Sequence, residues 1–193
     1  MLKFYQEKSE QYKIAKDNKG EESLISNSPH RDREFQNQGA GYWQKEVCEY
    51  IKENYLNNFK KPKILDLGCG RGTFSVKEFF SKLSDSSIAG VDYFVENLKY
   101  YKEAKSRIVA NAIKLPFKNA SFDIVITSNL TSDNKYFDKQ DNLNKLASEI
   151  GRIVKKGGII VLMYEDLELS EYLKEEQFQF LEDVATYFIL KKF

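Results

Sequence analysis

Histidine occurs once in this chain, tryptophan once, cysteine twice and proline three times in 193 residues. Each shortage excludes something. A lone histidine, His30, has no partner for a nucleophilic triad, and the scattered carboxylates and cysteines form no group at metal-ligand spacing, so no metal is expected. Of the cysteines, Cys48 falls in an expected helix and Cys69 inside a glycine turn. A bridge would strain that turn, so reduced thiols and a cytoplasmic protein are expected. No apolar run approaches 18 residues and the start, MLKFYQEKSEQ, lacks a signal-peptide core, so no membrane association is expected. An excess of charge is missing too: 30 Lys and Arg against 29 Asp and Glu leave a net +1. A surface that tracks phosphates needs a basic excess, so a large nucleic-acid interface is not expected. Lys60, Lys61 and Lys63 make a local patch that a solvated turn accounts for. The length fits one domain with a real core.

Against these absences stands one dense run, Lys63-Ile64-Leu65-Asp66-Leu67-Gly68-Cys69-Gly70-Arg71-Gly72. A short apolar strand enters a turn in which three glycines alternate, and a helical pattern follows over 73–83. Strand, glycine turn and helix together bring bare backbone against a ligand. A dinucleotide fingerprint requires Gly or Ala where this chain has Thr73. Asp66 before the turn would repel a pyrophosphate and attract a cation.

Further segments follow. Ser87-Ile88-Ala89-Gly90-Val91-Asp92 reads as a strand ending in an acid, 24 positions after Gly68, the distance of a ribose-binding carboxylate. Then come Ile108 to Ala112, Leu115-Pro116-Phe117, Ser121 to Ile126, and Glu149 to Gly158. In this order the segments resemble the class I S-adenosylmethionine-dependent methyltransferases, in their small-molecule branch, over residues 42–193. The resemblance implies a Rossmann-like seven-stranded, mostly parallel sheet with helices on both faces and a C-terminal antiparallel hairpin. It implies S-adenosyl-L-methionine as cofactor, which carries an ammonium and a sulfonium but no phosphate. Cofactor contact is carried over to Asp66, Gly68, Cys69, Gly70, Gly72, Asp92, Tyr93, Asn111, Ala112 and Ser128. Asp92 would take both ribose hydroxyls, and Tyr93 would lie by the adenine face. Two positions depart from the family pattern. Asn111 stands where an Asp usually meets the adenine amino group; its amide oxygen still accepts. Lys156 replaces a Pro before Gly157-Gly158, a structural change.

The coarse order is a helix over 42–58, strands at 63–67, 87–91, 107–110, 122–128 and 159–163, and helices at 73–83, 94–104, 136–154 and 170–176, closing with a hairpin of 178–184 and 187–191. Alternation of this kind implies right-handed crossovers and a ligand beyond the carboxyl ends of the strands, where Asp66, Asp92, Asn111 and Ser128 fall. Residues 1–41 are polar and without sustained periodicity, apart from a candidate short helix over 4–12, and read as a flexible lid segment ahead of a domain spanning 42–193.

Methyl transfer in the family is an in-line displacement, so the resemblance specifies the cofactor residues and leaves the catalytic residue unknown. His30 is a solvated loop histidine or, with its segment folded over the pocket, a base. Asp133 caps a helix or orients an acceptor. Tyr42 and Trp43 pack in the core or cap the cofactor. The stretch Ser128-Asn129-Leu130-Thr131 lacks the Asn-Pro-Pro-aromatic motif of amino-methylating nucleic-acid enzymes. A small-molecule acceptor is therefore the leading expectation, with a protein or RNA acceptor, or a non-catalytic cofactor-binding subunit, as rivals. A monomer or homodimer is expected. Calorimetry should detect binding of S-adenosylmethionine and S-adenosylhomocysteine and no heat from NAD. The reverse result would refute the reading of Asp66 and Thr73.

Overall fold

The computed structural model describes residues 12–16, 22–26, 49–55, 59, 61–70, 87–102, 104–127, 130–131, 140–163, 166–184 and 187–193. The expectations for His30, Tyr42, Trp43, Gly72, the helix over 73–83, Ser128 and Asp133 lie outside these residues.

Two strands, β1 (Tyr12–Lys16) and β2 (Glu22–Ser26), pair antiparallel with Tyr12 opposite Ser26 and Lys16 opposite Glu22. Tyr12 thus opens a strand where it was expected to close a helix. Aromatic and β-branched residues at 12 and 14 favour extension.

The main sheet has seven strands: β3 (Lys63–Leu67), β4 (Ser87–Asp92), β5 (Ser106–Val109), β6 (Phe122–Thr127), β7 (Val154–Met163), β8 (Phe178–Val184) and β9 (Tyr187–Lys192). Their order is β5-β4-β3-β6-β7-β9-β8, parallel from β5 to β7 and antiparallel at β7–β9 and β9–β8. The chain runs outward from β3 to β5 and then returns to place β6 on the other side of β3. That reversal opens a crevice at the carboxyl ends of β3 and β6. The expected fold class is the observed one.

Four helices are described: α1 (49–54), α2 (Val95–Leu98), α3 (Gln140–Ile153) and α4 (Glu168–Glu175). Both faces of the sheet carry a core. Leu143, Leu146, Ile150 and Ile153 of α3 pack with Leu169 and Leu173 of α4 on Leu65, Leu67, Val125 and Ile160. Ile51 of α1 and Leu98 of α2 join Ile64, Ile88, Ile124 and Val161 on the opposite face. The Tyr50 hydroxyl adds a hydrogen bond to Glu182 on β8.

Two elements differ from expectation. The helix foreseen over 94–104 is the four-residue α2. Asn97 spends its side chain on Asp92, and Tyr101 turns inward to full burial, which a continued helix would not permit. The turn foreseen between α3 and the next strand lies inside β7. Phe122 already pairs with Val154 before the register shifts to Ile124 with Ile159. Gly157 takes φ +78°, and a Cβ on Gly158 would lie 2.9 Å from the carbonyl oxygens of Asp123 and Lys155. This is a glycine-made bulge.

An ion pair on α3 holds the β5–β6 connection. Arg152 donates through Nε and Nη2 to the two carboxylate oxygens of Glu149, each at 2.8 Å. Its Nη1 donates to the Phe117 carbonyl at 2.6 Å, and its Nη2 to that of Leu115 at 3.1 Å. Glu149 in turn accepts from the Leu115 N–H at 2.6 Å. At the helix end, Lys192 donates to the Gly151 carbonyl, satisfying an acceptor the helix leaves over. The Arg152 hydrogen bond holds the Glu149 carboxyl below its usual value of 4.5. Folding therefore favours ionised Glu149: its contribution is full above that value and is lost as pH falls through the lower folded one. Glu149→Gln should cost about 1–2 kcal/mol at neutral pH in urea unfolding, and the difference should shrink in acid.

Candidate functional site

The crevice is built from the turn after β3. Gly68 and Gly70 both adopt left-handed backbone, φ +71° and +55°, where a side chain is strained. The Gly68 and Cys69 N–H groups both donate to the Val91 carbonyl at 2.9 Å, so the end of β4 shapes the turn. A Cβ on Gly68 would lie 2.6 Å from Leu130 Cδ1, whereas among the described residues the corresponding direction at Gly70 is empty to 4 Å. Open space beside bare backbone is what close approach of a ligand requires.

Asp92, at the end of β4, is buried and engaged by its own chain. One oxygen accepts from Gly70 N–H at 2.8 Å; the other accepts from Phe94 N–H at 2.8 Å and from the Asn97 amide at 3.1 Å. Burial raises its pKa, and these donors oppose the rise. Two ribose hydroxyls would have to share this carboxylate with the donors already on it.

Asp66 is different. It is 1 % exposed, and among the described residues neither carboxylate oxygen has a hydrogen bond. Burial pushes its pKa up to about 7, with the Asp92 charge adding to the rise and the Tyr101 hydroxyl opposing it. An unsatisfied buried carboxylate is costly, and a cationic donor would relieve it. The ammonium implied by the sequence fits this position on both charge and hydrogen-bonding grounds.

The remaining positions line the same edge of the sheet. Tyr93, 39 % exposed, sets its ring edge-on to Phe94 with centroids 5.4 Å apart. Asn111 Oδ1 accepts from the Ile113 N–H at 3.1 Å. Ala112 is half-buried beside it. The buried Cys69 thiol is pushed up by burial and by the charges of Asp66 and Asp92, which keeps it protonated and unreactive.

Three contributors were not foreseen. Asp166, fully buried, accepts from the Thr131 N–H and hydroxyl at 2.8 Å each and from the Leu130 N–H at 3.2 Å. It thereby fixes the segment whose Leu130 sits on Gly68, and nothing in its local sequence signals that role. Gly90 is the second: a Cβ there would lie 2.7 Å from the Tyr101 ring, the third contributor. A glycine inside a strand pattern is the readable sign of such an approach.

The sequence model of the methyltransferase domain family matches residues 65–162. An uncharacterized protein of Methanocaldococcus jannaschii is 33% identical over 127 residues, covering 64% of this chain and 50% of that protein. The chain thus spans half the length of that relative. Among solved structures, an S-adenosylmethionine-dependent methyltransferase from Aquifex aeolicus superposes with TM-score 0.59 at 14% identity, covering 84% of this chain and 96% of the other. A TehB-like S-adenosylmethionine-dependent methyltransferase from Corynebacterium glutamicum gives 0.57 at 16%, covering 86% and 100%. At these identities the likeness concerns the fold.

The raised Asp66 has two pH consequences. In the free protein its contribution to stability is full below 3.8 and is lost as pH rises through about 7. A bound ammonium lowers the pKa again, so binding near neutrality must expel a proton. Calorimetry of S-adenosylhomocysteine in buffers of unlike ionisation enthalpy should show proton release that grows as pH falls from about 8 to about 6. Asp66→Asn should abolish it, and buffer-independent heats at about pH 6.5 would contradict the assignment.

Proposed function

Since the chain belongs to the class I S-adenosylmethionine-dependent methyltransferase family, we propose that it transfers a methyl group to a small-molecule acceptor by in-line displacement. Its domain is an S-adenosylmethionine-dependent methyltransferase domain and binds that cofactor. The observation that carries the reading is Asp66, a buried carboxylate before a glycine turn, with no hydrogen bond among the described residues.

When bound, the cofactor supplies a methyl already activated on a positive sulfur. The chain's own residues bind, orient and exclude water. In this reading Asp66 takes the ammonium. Gly68, Cys69, Gly70 and Gly72 offer backbone to the ligand's amino-acid end and ribose. Asp92 accepts from the ribose, Tyr93 and Ala112 flank the adenine, Asn111 meets its amino group, and Ser128 closes the rim. Alignment of this kind supplies roughly 7–11 kcal/mol of barrier reduction without a general base. A base is required only for an acceptor that arrives protonated. Asp166 serves alignment indirectly by holding Leu130 and Thr131.

Support for a small acceptor comes from the near-cancelling charge, 30 basic against 29 acidic residues, and from the segment after β6, which lacks the motif of nucleic-acid amino methylases. Residues 1–41 are proposed as the lid that completes the acceptor side of the domain spanning 42–193. The reading takes the protein as cytoplasmic, and as a monomer or homodimer. Among the described residues no helix is long and apolar enough to cross a membrane, and no group of three or more His, Cys, Asp or Glu could hold a metal ion.

The test is transfer of labelled methyl into metabolite, tRNA and protein fractions with a strong chelator present. Label should enter the metabolite fraction at an undiminished rate in chelator. Label confined to tRNA or protein would reassign the acceptor. Cofactor binding without transfer to any fraction would mark a non-catalytic subunit.

A further inference from the structure

Asp66 and Gly90 are paired positions on adjacent parallel strands, so their side-chain directions share one face of the sheet. Gly90 leaves its place empty, and the Tyr101 ring fills it: a Cβ on Gly90 would lie 2.7 Å from both Cδ1 and Cε1 of that ring. Tyr101 therefore occupies the cross-strand position next to the Asp66 side chain. Its ring is fully buried among Ile64, Ile88 and Leu98. Phenylalanine would fill the same volume, so packing alone gives no reason for a hydroxyl in an apolar layer where polar groups are costly. A reason lies beside it: a buried carboxylate neither of whose oxygens has a hydrogen bond among the described residues.

We infer that Tyr101 is a positioning residue for the cofactor, its hydroxyl steadying the ionised Asp66 carboxylate in the orientation that receives the ligand's ammonium. The inference rests on the assignment of that ammonium to Asp66. The electrostatics agree with it, since the Tyr101 hydroxyl favours the charged form of Asp66 while burial and Asp92 disfavour it. The other titratable groups coupled to Asp66 are Asp92 at the end of β4 and Cys69 in the turn. On β6 the partner of Asp66 is Ile126, which does not titrate. Among the described residues, none of the groups that shift Asp66 is a cation. On this inference the positive partner comes with the ligand, and Tyr101 keeps the carboxylate ready for it.

The experiment measures S-adenosylhomocysteine affinity from about pH 5.5 to about pH 9 for the unmodified protein, Asp66→Asn and Tyr101→Phe. Affinity of the unmodified protein should rise with pH through the Asp66 titration and then level off. Asp66→Asn should bind more weakly with a flat profile. Tyr101→Phe keeps the ring and should shift the midpoint upward by about one pH unit. Its affinity should fall about tenfold at neutral pH, with the gap narrowing in alkali. A ring with only a packing role would leave the midpoint in place. An unmoved midpoint in Tyr101→Phe, with a flat Asp66→Asn profile, overturns the role of Tyr101 and leaves Asp66 standing. An Asp66→Asn profile like that of the unmodified protein overturns both. In the unmodified protein, the Tyr101 ring-carbon resonance beside the hydroxyl should shift at the pH where Asp66 titrates. Its silence there would count against the inference even if the variant failed to fold.

Discussion

The hydrogen bond from Gly70 N–H to Asp92 is the constraint on which the rest of the site depends. A turn of glycines has little shape of its own, because each glycine is free to adopt many backbone conformations. Here the end of the neighbouring strand imposes the shape. The Val91 carbonyl takes the first two N–H groups of the turn, and the Asp92 carboxylate takes the next. Two adjacent parallel strands thus end in a single hydrogen-bonded unit, and the position of Asp66 relative to the crevice follows from it.

The same device recurs along this edge of the sheet. Glu149 reaches from α3 to the Leu115 N–H and, with Arg152, grips the connection that follows Asn111 and Ala112. Asp166 reaches from the segment after β7 to the N–H groups of Leu130 and Thr131. In each case a carboxylate accepts charge-assisted bonds from the backbone of a loop belonging to another element. Three loops are fastened in this way, and the fourth carboxylate, Asp66, is left bare. The contrast sets Asp66 apart from the other acids more clearly than burial does, since Asp92 and Asp166 are buried as well.

The distribution of charge around the crevice has a consequence for binding. Asp66 and Asp92 each disfavour the ionised form of Cys69, and Asp92 disfavours ionised Asp66. A site this electronegative repels phosphate and favours a ligand that carries positive charge at two points, an ammonium and a sulfonium. Dinucleotide sites on related sheets use the helix N-terminus against a pyrophosphate. In the proposed reading of this chain the selection falls to a carboxylate placed before the turn.

How far the residues alone decide these matters can be seen at particular positions. The strand-turn pattern of 63–72, the acid at 92 and the apolar spacing of α3 are local, and local periodicity reports them directly. Fold class was legible for that reason, and the cofactor through the family resemblance that these segments carry; the glycines at 68 and 70 were legible as a turn, and their backbone is left-handed. The length of α2 was not legible, because it ends where Tyr101 turns in to fill the space above Gly90. Nor was the bulge in β7, which depends on register with Phe122. Asp166 carries no local signature at all, since its partners lie 35 and 36 residues away. The sequence by itself determined the order of elements, the cation-seeking chemistry and the glycine positions. Tertiary structure alone decided which carboxylates are satisfied and which is left bare, because that depends on donors brought from distant elements.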